Sequence, residues 1–213
     1  MNIVAISDTH DQHEKIIIPP ADVLIVAGDF TCHRIPQVQN YINFNNWLGK
    51  QPCSYKIVVA GNHDTLFENN LYFAGNILSN AIYLHNSFTH IRKDFQRFKV
   101  YGSPFTPFWD SWAFNLNEEE QKKNWALIPT DTDILVTHTP PFGIRDLNQF
   151  GTHKVEGGHA GDKFLREKIN SLNLKIHIFG HIHEGYGSEG IFYNVAQCDE
   201  MNNLKNKPML IEI

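Results

Sequence analysis

Two histidines separated by one residue, His181 and His183, follow an apolar run at residues 175–179. Such a run predicts a buried strand. Two imidazoles at the end of a strand can point to one side and bind a metal ion. A metal site needs further ligands, so the rest of the chain decides whether this pair has a function.

Four other apolar runs also end on a carboxylate, an amide or an imidazole. They span residues 3–7, 22–27, 56–60 and 133–137 and predict buried strands. In α/β sheets, ligands gather beyond the carboxyl ends of the strands. The side chains at these five ends are therefore expected to converge on one site: Asp8, His10, Asp29, Asn62, His138, His181 and His183.

These seven side chains offer oxygen and imidazole donors and no thiolate. They are too many for one tetrahedral ion and suit two ions bridged by a carboxylate. The donor set favours Mn(II), Fe or Zn over Cu(I), Ca(II) or a hydrated Mg(II). Two ions about 3.5–4 Å apart can bridge and deprotonate a water while they polarise a phosphoryl oxygen. Such a site is suited to the hydrolysis of phosphate esters.

The residues next to Asn62 predict an acid catalyst. His63 follows this candidate ligand and precedes Asp64, a carboxylate that could fix the imidazole tautomer and raise its basicity. We predict that His63 protonates the leaving oxygen and that Asp64 is its partner.

Three residues are candidates for substrate binding: Asn62, His33 and Arg145. Arg145 lies on the loop after His138, where a guanidinium could bind a phosphate through two hydrogen bonds, although a surface Arg is the commoner outcome. Two further loop histidines, His153 and His159, could touch substrate or be merely solvated.

The aromatic segment 105–112 could stack on a nucleobase, although packing as core or as a lid is the favoured interpretation. It includes Phe105, Phe108, Trp109 and Trp112. His177 lies inside the fifth apolar run, and we predict a packed or hydrogen-bonded role for it.

Helices are predicted to cover the strands. Residues 36–50 place apolar side chains at three- and four-residue intervals, as in an amphipathic helix. Residues 117–127 start with Asn117 as N-cap and three glutamates that suit the positive end of a helix, and residues 162–172 start with Asp162 as cap. Shorter elements are predicted at residues 67–76 (helix) and at residues 81–84, 191–195 and 208–213 (strands).

Composition bounds the fold and the partners. A chain of 213 residues, 42% of them hydrophobic, predicts one globular domain over residues 1–213. A formal charge of -5 offers no basic face for a phosphate backbone, so nucleic acid is a poor default partner.

The three cysteines have no CxxC spacing, which argues against a disulfide framework and against a structural zinc site. Neither a signal peptide nor an apolar run of the roughly 20 residues needed to cross a membrane is found. We therefore expect a soluble protein of the cytoplasm.

Five short motifs in this order resemble those of the calcineurin-like metallophosphoesterases: Asp8-Thr9-His10, Gly28-Asp29, Gly61-Asn62-His63-Asp64, Thr137-His138 and Gly180-His181-Ile182-His183. The resemblance implies an α/β fold in which two mixed β-sheets form a sandwich flanked by helices. It also implies which residues hold each metal. One ion would be bound by Asp8, His10, Asp29 and His183, and the other by Asp29, Asn62, His138 and His181, so that Asp29 is the bridge.

Residues 28–31, 101–104, 137–141 and 183–187 resemble a subgroup, the small metallophosphoesterase-domain-containing phosphodiesterases. This resemblance implies a phosphodiesterase acting on small phosphodiesters, with cyclic nucleotides among the candidates. It implies two divalent metal ions, Mn first, with Fe, Zn, Co or Ni as alternatives.

Three alternatives stay open. A nucleotide-binding or scaffold protein of the same fold would show weak catalysis. A protein phosphatase is disfavoured because Phe30-Thr31-Cys32 replaces the Asp-Arg-Gly continuation of that class. A nuclease is disfavoured by the acidic balance. The sequence leaves the oligomeric state open.

Overall fold

The computed structural model describes residues 1–32, 35, 37–68, 70–108, 111–148 and 158–213. The strands of this part are β1 (Asn2–Ile6), β2 (Ala21–Ala27), β3 (Cys53–Val59), β4 (Ile82–Tyr83), β5 (Ser87–Lys93), β6 (Gln96–Ser103), β7 (Thr106–Pro107), β8 (Asn115–Leu116), β9 (Ile134–Thr137), β10 (Ile176–Phe179), β11 (Gly187–Glu189), β12 (Phe192–Asn194) and β13 (Met209–Glu212). The α-helices are α1 (Val38–Gly49), α2 (Leu71–Ile77), α3 (Glu118–Ala126) and α4 (Lys163–Ile169).

The strands form two large mixed sheets. One has the order β13-β1-β2-β3-β4 and the other the order β11-β12-β10-β9-β6-β5, and β7 and β8 form a separate small ribbon. Strands β1 to β4 run parallel, as do β6, β9, β10 and β12, while β13, β5 and β11 pair antiparallel to their neighbours. The carboxyl ends of the parallel strands of each sheet therefore lie along one edge.

Three apolar layers follow from the alternation of side chains along these strands. Ile25 of the first sheet and Val136 of the second meet in the layer between the sheets. The outer face of the first sheet packs against α1, with Phe44 among the buried residues. The outer face of the second sheet packs against α3 and α4, with Trp125 and Leu165 buried. This confirms the predicted α/β sandwich flanked by helices, and strands covered on both faces explain the continuous apolar runs.

The predicted helix caps are also present. The Asn117 side chain accepts a hydrogen bond from the Glu120 backbone, and the Glu120 side chain accepts one from the Asn117 backbone. The Asp162 carboxylate accepts hydrogen bonds from the first backbone N–H groups of α4. Among the helices of the described residues, none has the length and apolar character needed to cross a bilayer.

The long β5–β6 hairpin is not among the elements predicted from the sequence. Its β5 strand exposes much of its length, including Phe88 and Lys93, so it lacks the apolar run of a buried strand. Antiparallel pairing with β6 holds β5 in the sheet from Ser87 to Lys93.

Candidate metal centre

The edges of the two sheets meet where their parallel strands end. The Asp8 backbone N–H donates to the carbonyl of Gly28 at 2.9 Å, which joins the ends of β1 and β2. The Nδ1 of His138, at the end of β9, contacts the Ala27 carbonyl of the other sheet at 2.9 Å. The His181 backbone N–H, after β10, donates to the Asp8 carboxylate at 3.0 Å. The strand ends therefore form one polar site between the sheets.

Asp8, His10 and His183 form the first group of converging donors, whose ligand atoms lie within 4.8 Å of one another. The Nε2 atoms of the two histidines are 3.3 Å apart, and His183 Nε2 is 3.4 Å from an Asp8 oxygen. His183 Nδ1 contacts the carbonyl of Asp199 at 2.7 Å. A proton donated there leaves Nε2 directed at the site, as expected of a histidine ligand.

Asp29, His138 and His181 form the second group, also within 4.8 Å. His138 Nε2 is 3.4 Å from Asp29 and 2.9 Å from the Asn62 side-chain oxygen. The contact of Nδ1 with the Ala27 carbonyl fixes the His138 ring in the same way that Asp199 fixes His183.

Asp29 is connected to the first group through His10. It belongs to the second group and to a third one with His10 and His63, and His10 is also a member of the first group. Its side chain is almost fully buried, and the basic side chains paired with it are His138 and His63. This is the position in which the resemblance places the bridging carboxylate.

The backbone is contorted where it presents the ligands. Four of the seven predicted ligands adopt left-handed conformations that residues with side chains rarely adopt, with φ of 52° at Asp8, 42° at His10, 49° at Asp29 and 69° at His181. Such conformations persist only where the surroundings enforce them, and they cluster at functional sites.

Glycines allow the close approach of the loops. A Cβ on Gly61 would lie 2.3 Å from an Asp29 oxygen, and one on Gly180 would lie 2.2 Å from an Asp8 oxygen. A Cβ on Gly28, which has φ of +100°, would lie 2.3 Å from His138 Nδ1. The site therefore depends on glycine at three strand ends.

The ionisable side chains of the site, considered without metal ions, shift each other's pKa values. Burial opposes ionisation of Asp8, but the hydrogen bond and charge of His183 lower its pKa to about 2. Burial also opposes ionisation of Asp29, and the charges of His138 and His63 hold its pKa well below the usual range. Burial lowers the pKa of His10 to about 4, which keeps it neutral as a metal ligand must be.

The pKa values of His138 and His183 move the other way. Burial disfavours their protonated forms, but a nearby carboxylate outweighs burial in each case. Asp29 raises the pKa of His138 to about 9, and Asp8 raises the pKa of His183 to about 9. Without a metal, these carboxylates are thus balanced by imidazolium protons. Divalent cations would replace those protons, so the donors fit a dinuclear centre.

His63 lies beside this centre and is fixed on several sides. Its backbone N–H donates to Asp29 at 2.8 Å, and its Nε2 is 3.9 Å from that carboxylate. The ring packs edge-on against His10 and stacks on Trp112, with centroids 3.9 Å apart. The side chain remains 19% exposed, so a substrate can reach it.

The predicted contact between Asp64 and the His63 ring is wrong. His63 Nδ1 contacts the carbonyl of Cys32 at 3.2 Å, and this carbonyl fixes the tautomer. The buried Asp64 carboxylate instead accepts hydrogen bonds from the Gly61 backbone and from the backbone and hydroxyl of Thr31. Asp64 thus shapes the turn that carries His63, because its carboxylate faces into that turn.

The residues predicted to contact substrate do not all lie at the candidate metal centre. The Asn62 side chain contacts His138, a predicted ligand, while His33 and His153 lie outside the described residues. Arg145 has φ of 50° and donates from its guanidinium to the carbonyl of Tyr186, three residues after the predicted ligand His183. His159 pairs with the buried Asp146 at 2.7 Å, which ties two loops together. Contact of these residues with a substrate stays a prediction.

The other residues named in the sequence analysis lie in the core, at the surface or outside the described residues. His177 contacts the Thr137 hydroxyl at 2.8 Å, as predicted. Phe105 packs against the core, Phe108 is 71% exposed, and Trp109 lies outside the described residues. The backbone carbonyls that orient the histidines were not predicted, because a carbonyl leaves no signal in residue type.

A family model described as calcineurin-like phosphoesterase matches residues 1–185. A UPF0046 protein of Caenorhabditis elegans is 36% identical, over 100% of this chain and 60% of its own length. Metallophosphoesterase domain-containing protein 1 of Homo sapiens is 34% identical, over 99% of this chain and 70% of its own. The chain thus spans about 60% of the first relative's length.

A solved structure of TT1561 from Thermus thermophilus has the same fold. It matches with a TM-score of 0.61 at 18% identity and covers 92% of this chain and 88% of that chain. At this identity, the likeness concerns the fold alone.

Proposed function

Because the chain belongs to the calcineurin-like phosphoesterase family, we propose that it hydrolyses small phosphodiesters, with cyclic nucleotides as candidates, at a dinuclear metal centre. The observation that carries the proposal is a continuous set of donor groups, in which His10 and Asp29 connect the first group to the second. Bound ions would act as Lewis acids on the phosphoryl group and lower the pKa of a water. The mixed carboxylate and imidazole donors favour Mn(II), with Fe, Zn, Co or Ni as alternatives.

The residues of the chain have distinct tasks in this proposal. Asp8, His10, Asp29 and His183 hold one ion, and Asp29, Asn62, His138 and His181 hold the other. His63 is the general acid. Its Nδ1 proton is directed at the Cys32 carbonyl, so Nε2, on the side of Asp29, is the atom that delivers a proton to the leaving oxygen.

The chain's charge supports a small substrate. A net charge of -5 disfavours a long polyanion, whose binding depends on many basic contacts. Arg145 is the proposed side-chain contact to the substrate phosphate, because its guanidinium lies against Tyr186, close in sequence to the ligand His183.

Two matched diesters test the assignment. Bis(p-nitrophenyl) phosphate releases a stable anion that needs no proton, whereas diphenyl phosphate releases a more basic phenolate. With added Mn(II), we expect Asp29→Ala to abolish hydrolysis of both. We expect His63→Ala to slow diphenyl phosphate by about 10²- to 10⁴-fold and the nitrophenyl ester far less.

His90→Ala, on the edge strand β5, is the control for loss of a histidine and should retain both activities. Failure of the wild-type protein to hydrolyse either ester with Mn(II), Fe(II), Zn(II), Co(II) or Ni(II) would refute the proposal. Tight binding of AMP without turnover would indicate a nucleotide-binding protein of the same fold instead.

A further inference from the structure

Trp112 stacks on His63 with a centroid distance of 3.9 Å and an interplanar angle of 28°. The indole therefore stacks on one face of the imidazole with a tilt of 28°. The ring has two further restraints: Nδ1, whose N–H bond lies in the ring plane, contacts the Cys32 carbonyl, and the ring packs edge-on against His10. The carbonyl and the indole restrict different motions, since the carbonyl limits rotation within the plane and the indole limits tilting of the plane itself.

The backbone around Trp112 is tied to the turn that carries His63. The Ala113 N–H donates to the Asn62 carbonyl at 3.2 Å, which joins the residue after Trp112 to the residue before His63. The Trp112 carbonyl accepts a hydrogen bond from the Asn115 side chain at 2.7 Å. The next residues, Ala113 and Phe114, are buried. The backbone that follows the indole is thus fixed against the turn that carries His63.

We propose that Trp112 is a positioning residue, which holds the His63 imidazole in the plane from which Nε2 reaches the leaving oxygen. His63 is partly exposed and lies in a turn, so without the indole its ring can swing toward solvent. The inference rests on the proposed function for the role of His63. It adds that Trp112 sets the rate at which substrates with poor leaving groups are cleaved.

The kinetic test compares Trp112→Leu with Trp112→Phe, which keeps a stacking ring. An aromatic stack shifts an equilibrium by about 2- to 12-fold. We therefore expect Trp112→Leu to lower kcat for diphenyl phosphate by about 5- to 10-fold, with bis(p-nitrophenyl) phosphate changed by less than about 2-fold. Trp112→Phe should stay near wild type on both. Phe108→Leu, in the same segment and 71% exposed, is the control.

A double variant distinguishes positioning from direct substrate contact. If Trp112 acts through His63, Trp112→Leu has no further effect on the ratio of the two rates in a His63→Ala background. An equal loss on both esters, or a persistent effect in that background, would overturn the proposal.

A spectroscopic test is independent of turnover. In the zinc-loaded protein, the indole should move the His63 ring-proton resonances upfield, and Trp112→Leu should abolish that shift while Trp112→Phe retains part of it. Unchanged His63 resonances in Trp112→Leu would refute the stack. Absence of hydrolysis by wild type would refute the proposed function, whereas this spectrum still decides whether Trp112 holds His63.

Discussion

Substitution of Gly61 by alanine should displace Asp29 and His138 at the candidate metal centre, because it adds a methyl group between them. The added Cβ would lie 2.3 Å from an Asp29 oxygen, 2.5 Å from the Asp29 backbone nitrogen and 2.6 Å from His138 Cε1. Contacts below 3.0 Å essentially never occur for a real Cβ. One of the obstructing atoms is backbone, so rotation of the Asp29 side chain cannot relieve the clash.

The size of the effect follows from the movement required. An ordinary contact begins at 3.4 Å, so the Asp29 oxygen and the Gly61 position must separate by about 1.1 Å. A misplacement of about 1 Å at a reacting centre lowers a rate by about 10²-fold. Overpacking a well-packed region costs about 1–3 kcal/mol of folding free energy, which a domain of this size can tolerate.

The measurements are metal content after dialysis and the rate of bis(p-nitrophenyl) phosphate hydrolysis. We expect Gly61→Ala to bind less metal and to turn over about 10²-fold more slowly, with an unchanged circular dichroism spectrum. Gly75→Ala is the matched control, because a Cβ there, within α2, meets no atom within 4 Å. If the two variants had equal metal content and rates within about 3-fold, the steric argument would be refuted.

Three further results are expected. His181→Gly should lose chiefly the metal ion proposed for the group of Asp29, Asn62 and His138, and much of the activity. The fold should survive, since glycine readily adopts the φ of 69° found at this position. An unchanged metal stoichiometry would overturn this prediction. Removal of the metal ions by a chelator should lower Tm by several degrees. A ligand present at 100 times its Kd stabilises the folded protein by about 2.7 kcal/mol, and 1 kcal/mol corresponds to about 2–4 °C in Tm. Equal Tm values with and without the chelator would contradict this. Burial lowers the pKa of His177 to about 3. The unfolded chain therefore binds a proton as pH falls below about 6.5 and the folded protein does not, so this residue alone removes about 2 kcal/mol of unfolding free energy at pH 5. His177→Gln should flatten that slope in denaturant titrations, and parallel pH profiles would disprove it.

The strand ends were predictable from the sequence because two physical signals coincide there. A continuous apolar run marks a strand covered on both faces, and the polar residue after it must lie at the sheet edge. Asp29 after β2 and His138 after β9 were placed in this way. Their convergence across two sheets depends on the fold, which the ordered motifs implied and the parallel pairing explains.

The surroundings of His63 were not predictable in this way, because adjacency in a turn is a poor guide to direction. Asp64 is the next residue, yet its carboxylate turns back to accept hydrogen bonds from Gly61 and Thr31. The partners of the His63 ring include a carbonyl at residue 32 and an indole at residue 112. Both are long-range contacts, and their residue types carry no signal for this role.

The strained backbone at the predicted ligands links the fold to the proposed chemistry. Asp8 and Asp29 lie in left-handed conformations, and their buried charges oppose each other: Asp29 is among the groups that raise the pKa of Asp8. Both features cost folding free energy, and residues at functional sites keep such features only where the scaffold is stable enough to hold them. Here the scaffold is the pair of buried parallel strands β1 and β2. Because cations at the centre would remove the repulsion, metal binding should add to stability as well as supply the chemistry.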